Sequence, residues 1–323
     1  MHPLKVSIII PYYKNYKNLV ECVSACLELD YPEYEVIVVT NVSLKFSDQR
    51  VRVVLTDKVG QADKRDVGIA NAFGEICAFI DDDASPRRDW IKNAVRYFED
   101  PEIAAVGGPG VTPKNDNLLQ RASGAIYSSF IGSGPLSYRY VPKKHRYVDD
   151  YPAYNLLVRK SILNEVSGFK TKFRSGEDTQ LSLKIIKLGK KILYSPDVVV
   201  YHHRRPLFVS HLRQVRTYGL HRAYFSKILP QTSAKLVYFS PLILIMGFVV
   251  LTILSFINQA IMYALLSAIG FYLVLCFGSG LIISKDLKIA LLTTIGIPLT
   301  HLVYGLSFLE GLLMHKLGER PSY

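Results

Sequence analysis

The chain is short of charge where it is richest in hydrophobic residues. From Val237 to Ser284 there is no Asp, Glu, Lys or Arg, and a second uncharged run, Ile289 to Leu309, follows the patch Lys285-Asp286-Leu287-Lys288. A helix needs about 20 apolar residues to cross a bilayer. The runs therefore fit two spans and then one, at 237–257, 260–283 and 289–313. This excludes a fully soluble enzyme and a disordered chain alike. Acid is missing over a longer stretch still. None occurs between Asp197 and Asp286, whereas Arg204, Arg205, Arg213, Arg216, Arg222, Lys227 and Lys235 all do. Basic residues beside a span gain about 1 kcal/mol each from an anionic leaflet, so the net charge of +12 points to membrane lipids rather than nucleic acid. Cysteine is scarce. Cys22, Cys26, Cys77 and Cys276 have neither zinc-ribbon spacing nor the density of a secreted disulfide framework, and are expected as small buried hydrophobes. No signal peptide is expected at the N-terminus, because the apolar run Val6 to Ile10 is short and Pro11 stops it.

What precedes the spans alternates in period. Val6 to Ile10, Glu35 to Thr40, Val51 to Leu55 and Ile76 to Ile80 read as strands, and Gly60 to Phe73 and Asp89 to Phe98 as helices. Strands alternating with helices predict a mainly parallel sheet covered on both faces. In such sheets ligands bind at the carboxyl ends of the strands, which gathers Pro11-Tyr12-Tyr13, Thr40-Asn41 and Asp81-Asp82-Asp83 on one rim. Residues 107 to 155, rich in Gly, Pro, Ser and Tyr, read as loops and short elements over that edge. Glu177 to Leu188 reads as a helix with an acidic start and Gly189 at its C-terminal cap. Ile192 to Tyr194 and Val198 to Tyr201 are expected late strands, and Pro206 to Leu229 alternates apolar and basic residues like a segment lying on a membrane surface.

Three carboxylates delivered by a buried strand repel one another unless a cation sits among them. Hard divalent ions take carboxylate oxygens and share their remaining positions with water or phosphate, so Asp81-Asp82-Asp83 predicts Mg2+ or Mn2+ on a diphosphate. Strand-Asp-x-Asp also opens the haloacid-dehalogenase-like phosphatases, in which Asp81 would be the nucleophile and Asp83 the acid/base. Three α/β elements ahead of the motif, and Ser85 after it, speak against that alternative.

The ordered set of motifs resembles family 2 glycosyltransferases of the GT-A fold. Val6-Ser7-Ile8-Ile9-Ile10-Pro11-Tyr12-Tyr13, then Tyr31-Pro32-Glu33-Tyr34-Glu35-Val36-Ile37-Val38-Val39, is similar to that family's opening. Lys64-Arg65-Asp66-Val67-Gly68-Ile69-Ala70, followed by Gly74-Glu75 through Asp83, is similar to its segment ending in the DxD motif. Gly107-Gly108-Pro109, Gly168-Phe169, Gly176-Glu177-Asp178 and Arg213-Gln214 with Tyr218-Gly219 continue it in order, and the last three look most like the succinoglycan-biosynthesis ExoA-type subgroup. The resemblance covers roughly residues 4 to 225 and implies an α/β, Rossmann-like GT-A domain.

The resemblance assigns roles by position. Asp81 and Asp83 would hold the metal, with Asp82 beside them. Pro11, Tyr12, Tyr13 and Arg65 would border the donor nucleotide. Asp178, paired with Glu177, would be the general base. Three departures stand out. Thr40-Asn41-Val42-Ser43 replaces the usual acidic pair, leaving Asn41 to meet the base. Arg213-Gln214-Val215-Arg216 keeps two arginines without the family's Trp, to clamp the donor diphosphate or to face lipid phosphates. His202 and His203 close a late strand, and His203 enters as a candidate third metal ligand against a plain surface histidine.

The domains expected are 1–205 for the transferase, 206–235 for a basic amphipathic interfacial segment and 236–315 for the transmembrane region. The function expected is transfer of a sugar, with inversion, from a nucleotide-diphosphate donor to a polyprenyl- or dolichyl-linked acceptor. A non-catalytic nucleotide-sugar binding protein is the third reading. Lys285, Lys288 and the basic flank before residue 237 place the N-terminal domain in the cytoplasm of a multi-pass membrane protein. The Asn258-Gln259 turn and the tail with Lys316, Glu319 and Arg320 then fall outside.

Overall fold

A computed structural model describes residues 3–171, 173 and 175–317, so Glu319 and Arg320 of the expected outer tail lie outside the described residues. In chain order the elements begin with β1 (Val6–Pro11), α1 (Tyr16–Leu27), β2 (Tyr34–Thr40), β3 (Val51–Leu55), α2 (Gln61–Asn71), β4 (Ile76–Ile80), β5 (Ala84–Pro86) and α3 (Trp90–Val95). Next come β6 (Ile103–Gly107), β7 (Gly110–Val111), α4 (Leu118–Ser128), α5 (Phe130–Ser133), β8 (Arg146–Val148), β9 (Asn155–Arg159), α6 (Lys160–Glu165) and α7 (Glu177–Lys187). The last are β10 (Lys191–Tyr194), β11 (Val200–His202), α8 (Val209–Ile228), α9 (Pro230–Ser233), α10 (Leu236–Ser255), α11 (Gln259–Ser284) and α12 (Leu287–Leu313). They form two compact units. The α/β unit takes the chain up to Val111 together with Val141–His202, and the helical unit takes Thr112–Tyr140 with His203–Leu317.

The α/β unit is built on an eight-stranded sheet, ordered β3-β2-β1-β4-β9-β6-β10-β8. Strands β3, β2, β1 and β4 are mutually parallel, and β6 is parallel to β10; β9 enters antiparallel between β4 and β6, and β8 closes the edge antiparallel. Strands covered on both faces read as unbroken apolar runs, and every residue of β1, β2 and β4 is buried. On one face α1 lays Leu19, Cys22, Val23 and Cys26 into the same core as Ile8, Ile10, Val36 and Val38. Each such aliphatic side chain contributes about 1.5–3 kcal/mol by leaving water. On the other face α2 approaches so closely that a Cβ on Gly68 would stand 2.4 Å from Ile9. A small second sheet, β5-β11-β7, stands beside the first. All four cysteines are buried and unbridged.

The stretch 107 to 155 holds more order than its composition suggests. It contains α4, whose start is fixed by a capping box in which Asn117 accepts from the Gln120 amide and the Gln120 side chain answers the Asn117 backbone. The acidic start of α7 follows Gly176, in the left-handed region at φ 85°, and Gly189 ends it at φ 75°.

Three helices of the helical unit are long and apolar enough to cross a membrane: α10, α11 and α12. Asn258 caps α11 and Asp286 caps α12. The three differ in exposure: 6%, 11% and 39% of their most apolar windows are buried. The third is shielded because α8 runs along its C-terminal half in the same direction. His211 meets Thr300, Gly219 meets Ser307, and Lys227 donates to the carbonyls of Leu312 and Met314. Small residues permit this approach: a Cβ on Gly311 would stand 2.4 Å from the Leu220 carbonyl oxygen.

Candidate active site

Strand register decides which side chains reach the rim. Because β1, β2 and β4 run parallel, Pro11, Thr40 and Ile80 end at one edge. Past Ile80 the chain passes through Asp81-Asp82-Asp83 and turns at once into β5. Strand β11 pairs antiparallel with β5, with His202 opposite Ala84, which returns the imidazole to the carboxylates. His202 Nε2 lies 3.1 Å from Asp83 Oδ1. The ligand atoms of Asp81, Asp83 and His202 all fall within 4.8 Å of one another. Two carboxylates and one imidazole form a donor set for a divalent cation.

The imidazole that the α/β unit itself brings to these carboxylates is that of His202, whereas the candidate read from the sequence was His203. Successive side chains on a strand point to opposite faces, so pairing with β5 selects one of the two. His203 instead belongs to the helical unit, where its Nδ1 lies 2.5 Å from Asp116 Oδ1.

Arg65 organises the carboxylates from below. Its side chain is only 3% exposed; Nη2 donates to Asp81 Oδ1 at 2.7 Å and Nη1 to Glu177 Oε1 at 2.8 Å. Burial works against the guanidinium charge, but Asp81, Glu177 and Asp178 outweigh it and its pKa is raised. Arg65 also lies over the Phe169 ring, 5.4 Å from the centroid. Of the two acids that open α7, Glu177 is thus buried in an ion pair. Asp178 is half-buried and accepts from the Thr179 amide at 2.8 Å.

Asp82 faces differently from its neighbours. Its Oδ2 accepts the Tyr13 amide at 2.9 Å, tying the loop after β1 to the carboxylate rim. Lys64 fastens the same loop from α2 by donating to the Tyr12 carbonyl at 2.6 Å. Burial lowers the Lys64 pKa, and Asp82 opposes that shift. Pro11 and Tyr12 are buried while Tyr13 is exposed. Asn41 commits its amide nitrogen to the carbonyls of Thr56 and Lys58, both at 2.8 Å, so its carbonyl oxygen is what it can turn toward a base. Arg213 and Arg216 lie on α8 in the helical unit, both exposed, and Arg216 forks onto Glu310 with two 2.9 Å bonds.

Asp66 and Lys64 were not among the expected site residues. Asp66 accepts the Phe169 amide at 2.7 Å beside Gly168, which sits at φ 64°. Burial pushes its pKa up to about 6, against the pull of the Phe169 amide and Lys184. For Asp66 the available signal was helical spacing: it shares one stripe of α2 with Ala62 and Ile69, and a charge on a buried stripe asks for a partner.

Residues 7–167, about half of the chain, match the family model described as Glycosyl transferase family 2. A dolichyl N-acetyl-alpha-D-glucosaminyl phosphate 3-beta-D-2,3-diacetamido-2,3-dideoxy-beta-D-glucuronosyltransferase of Methanococcus voltae is 26% identical over 66% of this chain and 71% of its own length. Glycosyltransferase AglE of Haloferax volcanii is 28% identical over 62% of this chain and 67% of its own. The pre-mycofactocin glycosyltransferase of Mycobacterium tuberculosis is 29% identical over 55% of this chain, but the match spans only 37% of that longer protein. Among solved structures, the mannosyltransferase PcManGT from Pyrobaculum calidifontis, in complex with GDP-Man and Mn2+, shares the fold. Its TM-score is 0.64 over 98% of this chain and 89% of that one, at 21% identity. With the phosphatase and sensor readings displaced by these matches, the chain belongs to the family 2 glycosyltransferases and carries their GT-A fold.

Proposed function

We propose that the protein is a membrane-anchored, inverting transferase that moves a sugar from a nucleotide-diphosphate donor to a lipid-linked acceptor. The observation that carries this reading is the convergence of Asp81, Asp83 and His202 on the carboxyl rim of the sheet. The Mn2+ in the PcManGT complex and the dolichyl-linked substrate in the name of the Methanococcus voltae relative support it. Asp81, Asp83 and His202 would hold the cation, and the imidazole favours Mn2+ over Mg2+. Such an ion neutralises charge on the departing diphosphate.

The remaining roles fall to the chain's own groups. Arg65 holds the Asp81 carboxylate in place. Pro11, Tyr12 and Tyr13, clasped by Asp82 and Lys64, border the nucleotide, and Asn41 offers its carbonyl oxygen to a base N–H. Arg213 is assigned to phosphate, of the donor or of lipid. Glu177, locked to Arg65, positions the start of α7, where Asp178 takes the proton from the acceptor hydroxyl. One base opposite the leaving group means a single displacement, hence inversion. The basic residues before 237 and in the 285–288 loop put the α/β unit on the cytoplasmic side.

A thermal-shift screen of the full chain with nucleotide sugars, with and without Mn2+, tests the reading. One donor should stabilise the protein only when Mn2+ is present. Asp178→Asn should bind that donor as before and lose transfer by about 100- to 10,000-fold. Unchanged turnover in the variant would remove Asp178 from the chemistry, and no Mn2+-dependent donor binding would end the proposal.

A further inference from the structure

Arg65 is not held by carboxylates alone. Glu177 and Asp81 take Nη1 and Nη2, but Nε is buried and finds no hydrogen-bond partner among the described residues. The guanidinium also meets an aromatic ring. Phe169 is fully buried, with its centroid 5.4 Å from the guanidinium carbon. Cation and ring attract each other more strongly when both are out of water. The same ring packs edge-on against Phe79, centroids 4.9 Å apart. Phe79 lies in β4, two residues before Asp81. Phe169 is therefore wedged between the strand that delivers Asp81 and the arginine that holds it.

What fixes Phe169 comes from the next residue of α2. Asp66 accepts the Phe169 amide at 2.7 Å. The approach depends on Gly168, which sits at φ 64° and where a Cβ would stand 2.2 Å from Asp66 Oδ1. From α7, Lys184 donates its Nζ to the Gly168 carbonyl at 3.0 Å. Helices α2 and α7 are thus tied twice. Arg65 and Glu177 join them directly, and the Gly168-Phe169 turn joins Asp66 to Lys184. Because Glu177 and Asp178 open α7, this turn bears on the start of that helix as well as on Arg65.

We propose that Asp66 and Phe169 are positioning residues for the cation site. Asp66 sets the Gly168-Phe169 turn, and the Phe169 ring sets the guanidinium of Arg65 and, through it, the Asp81 carboxylate. Both act through Arg65 and neither would touch the ion. The assignment rests on the metal-binding reading above and extends it to the residues behind the ligands. Groups that orient metal ligands from behind change metal affinity by about 10- to 100-fold when they are lost.

The test uses the full chain in detergent with Mn2+ alone. Free Mn2+ is read by electron paramagnetic resonance, beside the melting temperature of each variant. Phe169→Leu keeps an apolar side chain and loses the ring face, and should bind Mn2+ about tenfold more weakly. Asp66→Ala removes the acceptor and should do the same. Asp66→Asn retains an oxygen for the Phe169 amide and should bind as wild type does. Since Asp66 acts through Phe169, the double variant Asp66→Ala with Phe169→Leu should bind no more weakly than the weaker single variant. Plain core packing predicts something else: lower melting temperatures with Mn2+ affinity unchanged. Wild-type affinity in Phe169→Leu, or losses that multiply in the double variant, would overturn the proposal. If the double variant does not fold, Asp66→Ala against Asp66→Asn decides, and an equal loss in both overturns it too. Absence of Mn2+ binding in the wild-type protein would remove the cation site itself, and this inference with it.

Discussion

Two buried bases sit inside the two units and are handled in opposite ways. Arg65 in the α/β unit is charged and bracketed by carboxylates, Asp81 on one arm and Glu177 on the other. His211 in the helical unit is fully buried and bracketed by hydroxyls, Ser123 and Thr300. Burial pushes its pKa down to about 4, so it is neutral at physiological pH. The lesson is one of purpose. A charge is retained under the rim because charge is to be handled there, and a paired interior ion costs several kcal/mol in lost hydration. Where only helix packing is needed, neutral hydrogen bonds do the joining.

The contrast can be broken most severely at Arg65. Arg65→Met strands Asp81 and Glu177 and should cost about 3–5 kcal/mol, read as a large fall in melting temperature. Arg216→Met breaks a pair whose side chains are 57% and 46% exposed, and should cost at most about 1 kcal/mol; equal losses in the two variants would erase the distinction between interior and surface pairs. On the neutral side, Gly311→Leu drives a side chain into Leu220 and Ala223. It should cost about 1–3 kcal/mol without touching donor binding, and donor affinity that falls in step with stability would contradict that. A pH-dependent effect belongs to Asp66. Its pKa of about 6 lies above the ordinary 3.8, so the folded protein holds the proton more tightly than the unfolded chain. Its contribution is full below pH 3.8 and is lost as pH rises through about 6. Melting temperature across that window should fall more in wild type than in Asp66→Asn; parallel curves would dismiss the effect.

Much of the α/β unit was legible in the sequence because β1, β2 and β4 are buried on both faces and keep an unbroken apolar run. The carboxylate rim followed, since the strand ends there. The parts that escaped notice have ordinary physical reasons. Three of the five residues of strand β6 are alanine or glycine, and α4 is rich in Ala, Ser and Gly, so neither shows the contrast that periodicity needs. The choice between His202 and His203 depends on pairing with β5, over a hundred residues earlier, and no local pattern encodes it. Arg65 was placed near the nucleotide by resemblance, but its bond to Glu177 joins residues 112 positions apart.

The Tyr13 amide hangs from Asp82, and Asp82 stands between Asp81 and Asp83 along the backbone. The edge that would cradle a base and the edge that would grip an ion are therefore separated by a single peptide step on either side. Stiffness acquired during folding is shared between them. A nucleotide bound as proposed would meet a loop already tied to the carboxylates, and little of its binding energy would have to go into arranging the protein.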